Sequence, residues 1–145
     1  MEQNPFASFS VEIPKQYAEQ AKNLCKTGSS HESLEFTPFD RQVDFWYFCF
    51  IYSLKNGLSP KQEKDTSNIT PASILSTDPY RISHIQLAYI GYHNGIEDLA
   101  NHRKIFNFAL EMANAAMPHV LAMFKDDEQR PIWNGFDFLE EAMSG

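Results

Sequence analysis

Hydrophobic positions along this chain fall into one unbroken run and several periodic stretches. Phe45-Trp-Tyr-Phe-Cys-Phe-Ile-Tyr52 sets eight apolar or aromatic residues in succession. A helix exposed on one side would interrupt such a run with polar residues. The segment therefore needs cover all round, from its own domain or from a second copy. Ahead of it, Thr37-Pro38 reads as a helix start. Thr37 can accept backbone N–H groups, Pro38 loses nothing at the first helical position, and Asp40 suits the positive end of the dipole. Asn56-Gly57 reads as the stop. Between these signals Phe39, Val43, Trp46, Phe50 and Leu54 share one face, with Phe45, Phe48, Cys49 and Tyr52 on the adjoining one. A buried strand competes, because Phe, Trp, Tyr and Ile favour strands; the start and stop signals favour the helix.

The remaining pattern is also helical. Residues 1–14, with Pro5, Pro14 and scattered apolar side chains, read as an extended arm. Pro14 opens a helix through Tyr17, Ala21, Leu24 and Cys25, with a turn near Gly28. Residues 58–69 are polar and aperiodic and read as a mobile loop. Thr70-Pro71 starts a short turn through Ile74-Leu75. Asp78-Pro79 starts a helix carrying Ile82, Ile85, Tyr89 and Ile90 and ending near Gly91. A long amphipathic helix is expected from Ile96 through Met117, kinked or restarted at Pro118 and continuing to Phe124. Residues 126–145 read as a C-terminal docking segment whose aromatic residues need a host. The prediction is an all-α fold, a single-domain bundle of about five helices around a central aromatic helix. No internal repeat or linker divides residues 1–145.

Composition changes this picture in two respects. Aromatic residues make up 14% of the chain, with 12 Phe, 6 Tyr and 2 Trp. They serve either as a core of large side chains or as an interaction surface, since buried aromatic anchors dominate interface energies. Twelve basic against 19 acidic residues give a net charge of −7. That field opposes nucleic acid, whose binding rests on basic surfaces that release counterions. Cys25 and Cys49 match no metal or redox spacing, and Cys49 reads as a small buried hydrophobe. The first residues lack the pattern of a secretory signal, and no apolar span reaches membrane length, so a cytoplasmic protein is expected.

Candidate chemistry is sparse. There is no phosphate-binding glycine loop, nucleophile elbow, HExxH pattern or paired CxxC. His84, His93 and His102 fall near Glu97 and Asp98, and Asp98 and His102 stand four apart. On one helix face that pair offers metal ligands or a carboxylate-oriented base, or simply an exposed ion pair. Asp44 precedes the aromatic run; it is either a desolvated acid with a raised pKa or a charge held by the helix dipole and Arg41. Lys55, Lys61 and Lys64 border the polar loop and are the candidates for phosphate contact, although Glu63 and Asp65 interleave with them. Trp46, Phe50, Tyr52, Trp133, Phe136 and Phe138 are the candidates for an interface. No catalytic residue, metal ligand or cofactor is assigned.

Two blocks carry a resemblance. The first is Thr37-Pro-Phe-x4-Asp44-x3-Phe48 running to Gly57. The second is Asp78-Pro-Tyr80 followed by Ala88, Gly91, Leu99, Arg103, Ile105-Phe106 and Ala109-x4-Asn114. In order and spacing residues 37–115 resemble small helical proteins encoded beside bacterial DNA phosphorothioation (Dnd-type) defence systems. The chain departs from that pattern at Phe48 and Cys49, where the family has small residues, and in its extension from Pro118 to Gly145. The resemblance implies an accessory role in antiviral defence and carries no catalytic residue. The reading is a non-enzymatic interaction or adaptor protein that forms a homo-oligomer. The alternatives are a DNA-binding accessory subunit using the Lys55–Lys64 loop, and a metal-dependent enzyme using His84, His93 and His102.

Overall fold

The structure is a computed structural model, and it describes residues 4–26 and 37–126. Helix α2 (Gln42–Asn56) carries the aromatic run and packs along α4 (His102–Asp126). Phe45, Trp46, Phe48, Cys49 and Phe50 are all buried. The matching stripe of α4, from Ile105 and Phe106 through Ala109, Met112, Ala113, Ala116 and Met117 to Val120, recurs every three or four residues. Its alanines leave room for the rings of α2. Trp46 lies 5.9 Å from Phe106 between ring centroids, and Phe39 meets Phe45, Phe48 and Phe124 edge-on. The Ser53 hydroxyl donates to the Met112 carbonyl and ties the two helices deep in the core. α4 continues through Pro118 as one helix, neither ending nor restarting there.

The start of α2 differs from the expected cap. Residues 37–41 are not helical, and Phe39 bridges to Cys25 instead. Phe39 N–H donates to the Leu24 carbonyl, and Lys26 N–H donates to the Phe39 carbonyl. Thr37 and Phe39 are buried by this pairing, which outweighs the local Thr-Pro signal. The working cap is Arg41, whose backbone N–H donates to Asp44 Oδ2 at 3.1 Å. The stop is as read: Gly57 takes φ +65°, a left-handed conformation that favours glycine.

The all-α expectation is corrected by a small sheet. β1 (Ser10–Pro14) pairs antiparallel with β2 (Thr66–Pro71), so neither the N-terminal arm nor residues 58–69 are wholly irregular. Val11 and Ile13 alternate into the core, while Ser10 and Glu12 face outward. The register slips between Val11 and Glu12, which accommodates one extra residue in β2. The arm is anchored further by Phe6, buried 5.2 Å from Phe106, and by Asn4, which donates to the Ala72 carbonyl.

The helix near Pro14 is a 3-10 turn (Lys15–Tyr17) leading into α1 (Ala18–Asn23). A second 3-10 segment (Ala72–Thr77) precedes α3 (Tyr80–His93), which ends on the left-handed residue Asn94. α4 begins at His102, later than expected, because residues 94–100 form turns. The molecule is thus a mostly helical single domain with a two-stranded antiparallel sheet. Among the described residues no helix is long and apolar enough to cross a membrane.

Candidate interaction surface

α3 is attached to the core by one side. Ile82, Ile85 and Tyr89 are buried, while Tyr80, His84, Leu87 and Gly91 form an exposed row three to four residues apart. Tyr80 is 52% exposed and Leu87 64%; Tyr92 at the end of α3, and Ile96 and Leu99 in the turns after it, are exposed at 48%, 64% and 37%. Every large exposed hydrophobic among the described residues falls within this stretch of chain. Scattered apolar side chains are ordinary on a surface, whereas a contiguous set marks a site. Gly91 lies in the same row, and a Cβ built there meets nothing within 4 Å, so packing inside the protomer does not require glycine.

The N-terminal end of this face is held by a charge network. Asp44 Oδ1 accepts from Arg41 Nη2 at 2.8 Å and Arg81 Nη1 at 2.9 Å, and its Oδ2 accepts from Arg41 Nε at 3.2 Å. Asp78 Oδ2 accepts from Arg41 Nη2 at 2.8 Å. Two arginines and two aspartates therefore balance, locking α3 to the start of α2. Burial alone would push the Asp44 carboxyl up, but the hydrogen bonds and charges of Arg41 and Arg81 outweigh it and hold the pKa below the ordinary value. Asp44 is thereby an ionised structural anchor, which removes the raised-pKa acid reading. The Arg81 guanidinium lies 4.5 Å over the Tyr47 ring and 5.8 Å from that of Tyr80. Tyr47 contacts His84 Nδ1 through its hydroxyl, and burial pushes its pKa up to about 12. Tyr80, His84 and Tyr47 thus form an aromatic corner with a filled cation site beneath it.

The interface residues read from the sequence fare unequally. Trp46 and Phe50 are fully buried within the protomer, stacked on each other at 6.3 Å, and cannot meet a partner. Cover for the aromatic run comes mainly from α4, with β2 and α1 adding to it and Tyr80 and His84 of α3 lying against Tyr47, so a second copy is not needed for it. Tyr52 is half-buried and stacks on His119. Trp133, Phe136 and Phe138, with the docking segment 126–145, lie outside the described residues apart from the last turn of α4. The apolar residues that are exposed instead, Leu87, Tyr92, Ile96 and Leu99, carry only a weak signal in sequence. Leu87 lies off the buried phase of α3, Tyr92 continues that phase but reaches only partial cover against Phe108, and Ile96 and Leu99 fall in the turns after the helix.

The histidines do not converge. His84 packs on Tyr47 and Tyr80, His93 stacks on Tyr89 at 4.0 Å, and His102 meets the edge of Phe6 at 6.5 Å. Asp98 lies in the turn before α4, not on a helix face with His102. It accepts from the Tyr89 hydroxyl at 2.8 Å and pairs with Lys104 at 3.1 Å, which together lower its pKa. Among the described residues no group of three or more His, Cys, Asp or Glu is placed to hold a metal ion. Lys61 pairs with Glu63 at 3.4 Å, and Lys64 borders a pocket with Glu12, Glu63 and Glu111. Lys55 is exposed at the end of α2. Acidic neighbours around Lys61 and Lys64 weaken any phosphate-binding role.

The chain is thus a small, mostly helical domain whose exposed large hydrophobics, among the described residues, fall on α3 and the turns after it, beside a locked charge network. No protein-family profile matches it, and no curated protein or solved structure matches it either.

Proposed function

We propose that this is a non-enzymatic interaction protein that self-associates through the outer face of α3 and the turn after it. The observation that carries the reading is the confinement of exposed Tyr80, Leu87, Tyr92, Ile96 and Leu99 to one stretch around Gly91. A glycine in a helix costs about 0.5–1 kcal/mol relative to alanine. A second helix packed closely against the row gives it a use. Five side chains at these exposures offer roughly 500 Å². Two copies facing each other would hide at most about 1,000 Å², the lower bound for a specific interface. Tyr80 and Tyr92 are of a residue type that such contacts favour. The partner is therefore a second copy, held weakly and reversibly, and a charge of −7 on each copy means that added salt strengthens the association.

The resemblance of residues 37–115 to proteins encoded beside DNA phosphorothioation systems supports the wider role, an accessory to bacterial antiviral defence. Sedimentation velocity over a concentration series tests the assembly. A dimer that Leu87→Arg converts to monomer is expected, with far-UV circular dichroism unchanged. A strict monomer at the highest soluble concentration, at low and high salt, overturns the proposal. Phage plating on a host whose defence genes include this protein, or its Leu87→Arg variant, tests the biological role.

A further inference from the structure

A pocket of about 310 Å³ opens between β1, the start of β2 and the middle of α4, and α3 contributes nothing to it. Its charged lining is mostly acidic: Glu12, Glu63 and Glu111 against Lys64. Asn114 also borders it and is 5% exposed. The Asn114 amide nitrogen donates to the Lys61 carbonyl at 3.0 Å. That bond fixes the orientation of the amide, because a carbonyl accepts only from a donor. The opposite atom, Oδ1, is buried and has no hydrogen-bond partner. An unmet acceptor of this kind costs about 1–3 kcal/mol, so a donor arriving from the pocket would remove a standing penalty. Glu12 already accepts from the Thr66 hydroxyl at 2.8 Å, and Lys61 engages Glu63. Among the described residues no cation pairs with Glu12 or Glu111.

We propose that this pocket binds a small organic cation bearing a primary ammonium group. The lining offers acceptors and negative charge, and an ammonium brings three donors and a positive charge. A metal ion suits it less. Calcium and magnesium need several oxygens converging at about 2.0–2.6 Å on one point, and the carboxylates here are not grouped that way. An ammonium donates bonds of about 2.7–2.9 Å to acceptors spread around a cavity. The volume exceeds that of a bare ion and matches the small end of ligand sites. Asn114 is the specificity element, since its Oδ1 rewards N–H donation and not charge alone.

Titration of the full chain with 1,4-diaminobutane, followed by calorimetry and amide NMR shifts at low salt, tests the assignment. Saturable one-site binding is expected, with shifts at Glu12, Glu63, Glu111 and Asn114. Glu111→Gln, which leaves the backbone contacts of α4 in place, is expected to weaken it about ten-fold or more through the loss of one charge-assisted bond. Tetramethylammonium, a cation without N–H donors, is expected not to compete. Three results would overturn the proposal. They are no saturable response to the diamine, equal binding by tetramethylammonium, and displacement of the diamine by stoichiometric calcium or magnesium. A folded Glu111→Gln variant that binds the diamine as tightly as the parent overturns it as well. Gel filtration of the same samples keeps the outcome separate from self-association.

Discussion

Replacing Asp44 with alanine is expected to cost about 3 kcal/mol of folding stability, far more than a surface ion pair at about 0–1 kcal/mol. Two losses add. The reach-back bond to the Arg41 amide that caps α2 contributes about 1 kcal/mol. Arg81, whose side chain is 11% exposed, loses its near carboxylate and keeps only Asp78 at 4.0 Å. Stranding one partner of a fully buried pair costs about 3–5 kcal/mol. Asp44 is 18% exposed and Arg41 retains Asp78, so this second loss lies nearer 2 kcal/mol. Urea unfolding followed by circular dichroism at neutral pH measures the total. In the double variant Asp44→Ala/Arg81→Met, no cation is left stranded, and about 1–2 kcal/mol of the loss should return. The pH dependence has a fixed sign. The folded pKa of Asp44 lies below the unfolded value of about 3.9. The parent's advantage over Asp44→Ala is therefore complete above about pH 4 and shrinks as pH falls through the folded value. A loss below about 1 kcal/mol at neutral pH would refute the reasoning. So would an advantage that grows as acid is added.

Three further perturbations bear on particular elements. Gly91→Ala is expected to raise the stability of the protomer by about 0.5–1 kcal/mol, because the added methyl meets nothing, and to weaken self-association. A thermal melt at low concentration, beside sedimentation at high concentration, separates the two effects. Trp46→Phe removes a buried indole N–H that lacks a partner while opening a small cavity. Those terms should cancel to within about 1 kcal/mol, whereas Phe50→Ala should cost about 3–5 kcal/mol, both by denaturant titration. The thiols of Cys25 and Cys49 should resist a thiol reagent at pH 8 until the protein unfolds. Burial, reinforced by the charge of Asp44, pushes Cys25 up to about 12, and burial raises Cys49 further from its thiolate. Fast labelling of the native protein would contradict the burial of both.

The sequence determined the parts that depend on neighbours along the chain. An eight-residue apolar run between a start signal and the stop at Gly57 favours a covered helix over a buried strand, and α2 is one. The periodic apolar residues of α3 and α4 fixed which side of each helix faces inward, and Asp78-Pro79 marked the start of α3. Only the tertiary structure decided what required partners distant in sequence. β2 is polar and becomes a strand because β1, more than fifty residues earlier, supplies its hydrogen bonds. The Thr37-Pro38 cap signal yields to the bridge with Cys25, and Arg41 takes the cap through Asp44. Trp46 and Phe50, which looked like interface residues, are consumed by the core, since α4 offers alanines opposite their rings. What remains exposed on α3, and the unmet oxygen of Asn114 among three glutamates, exist only where separate segments meet. Local patterning sets which residues must be buried; packing sets which are left over, and the leftovers carry the candidate functions.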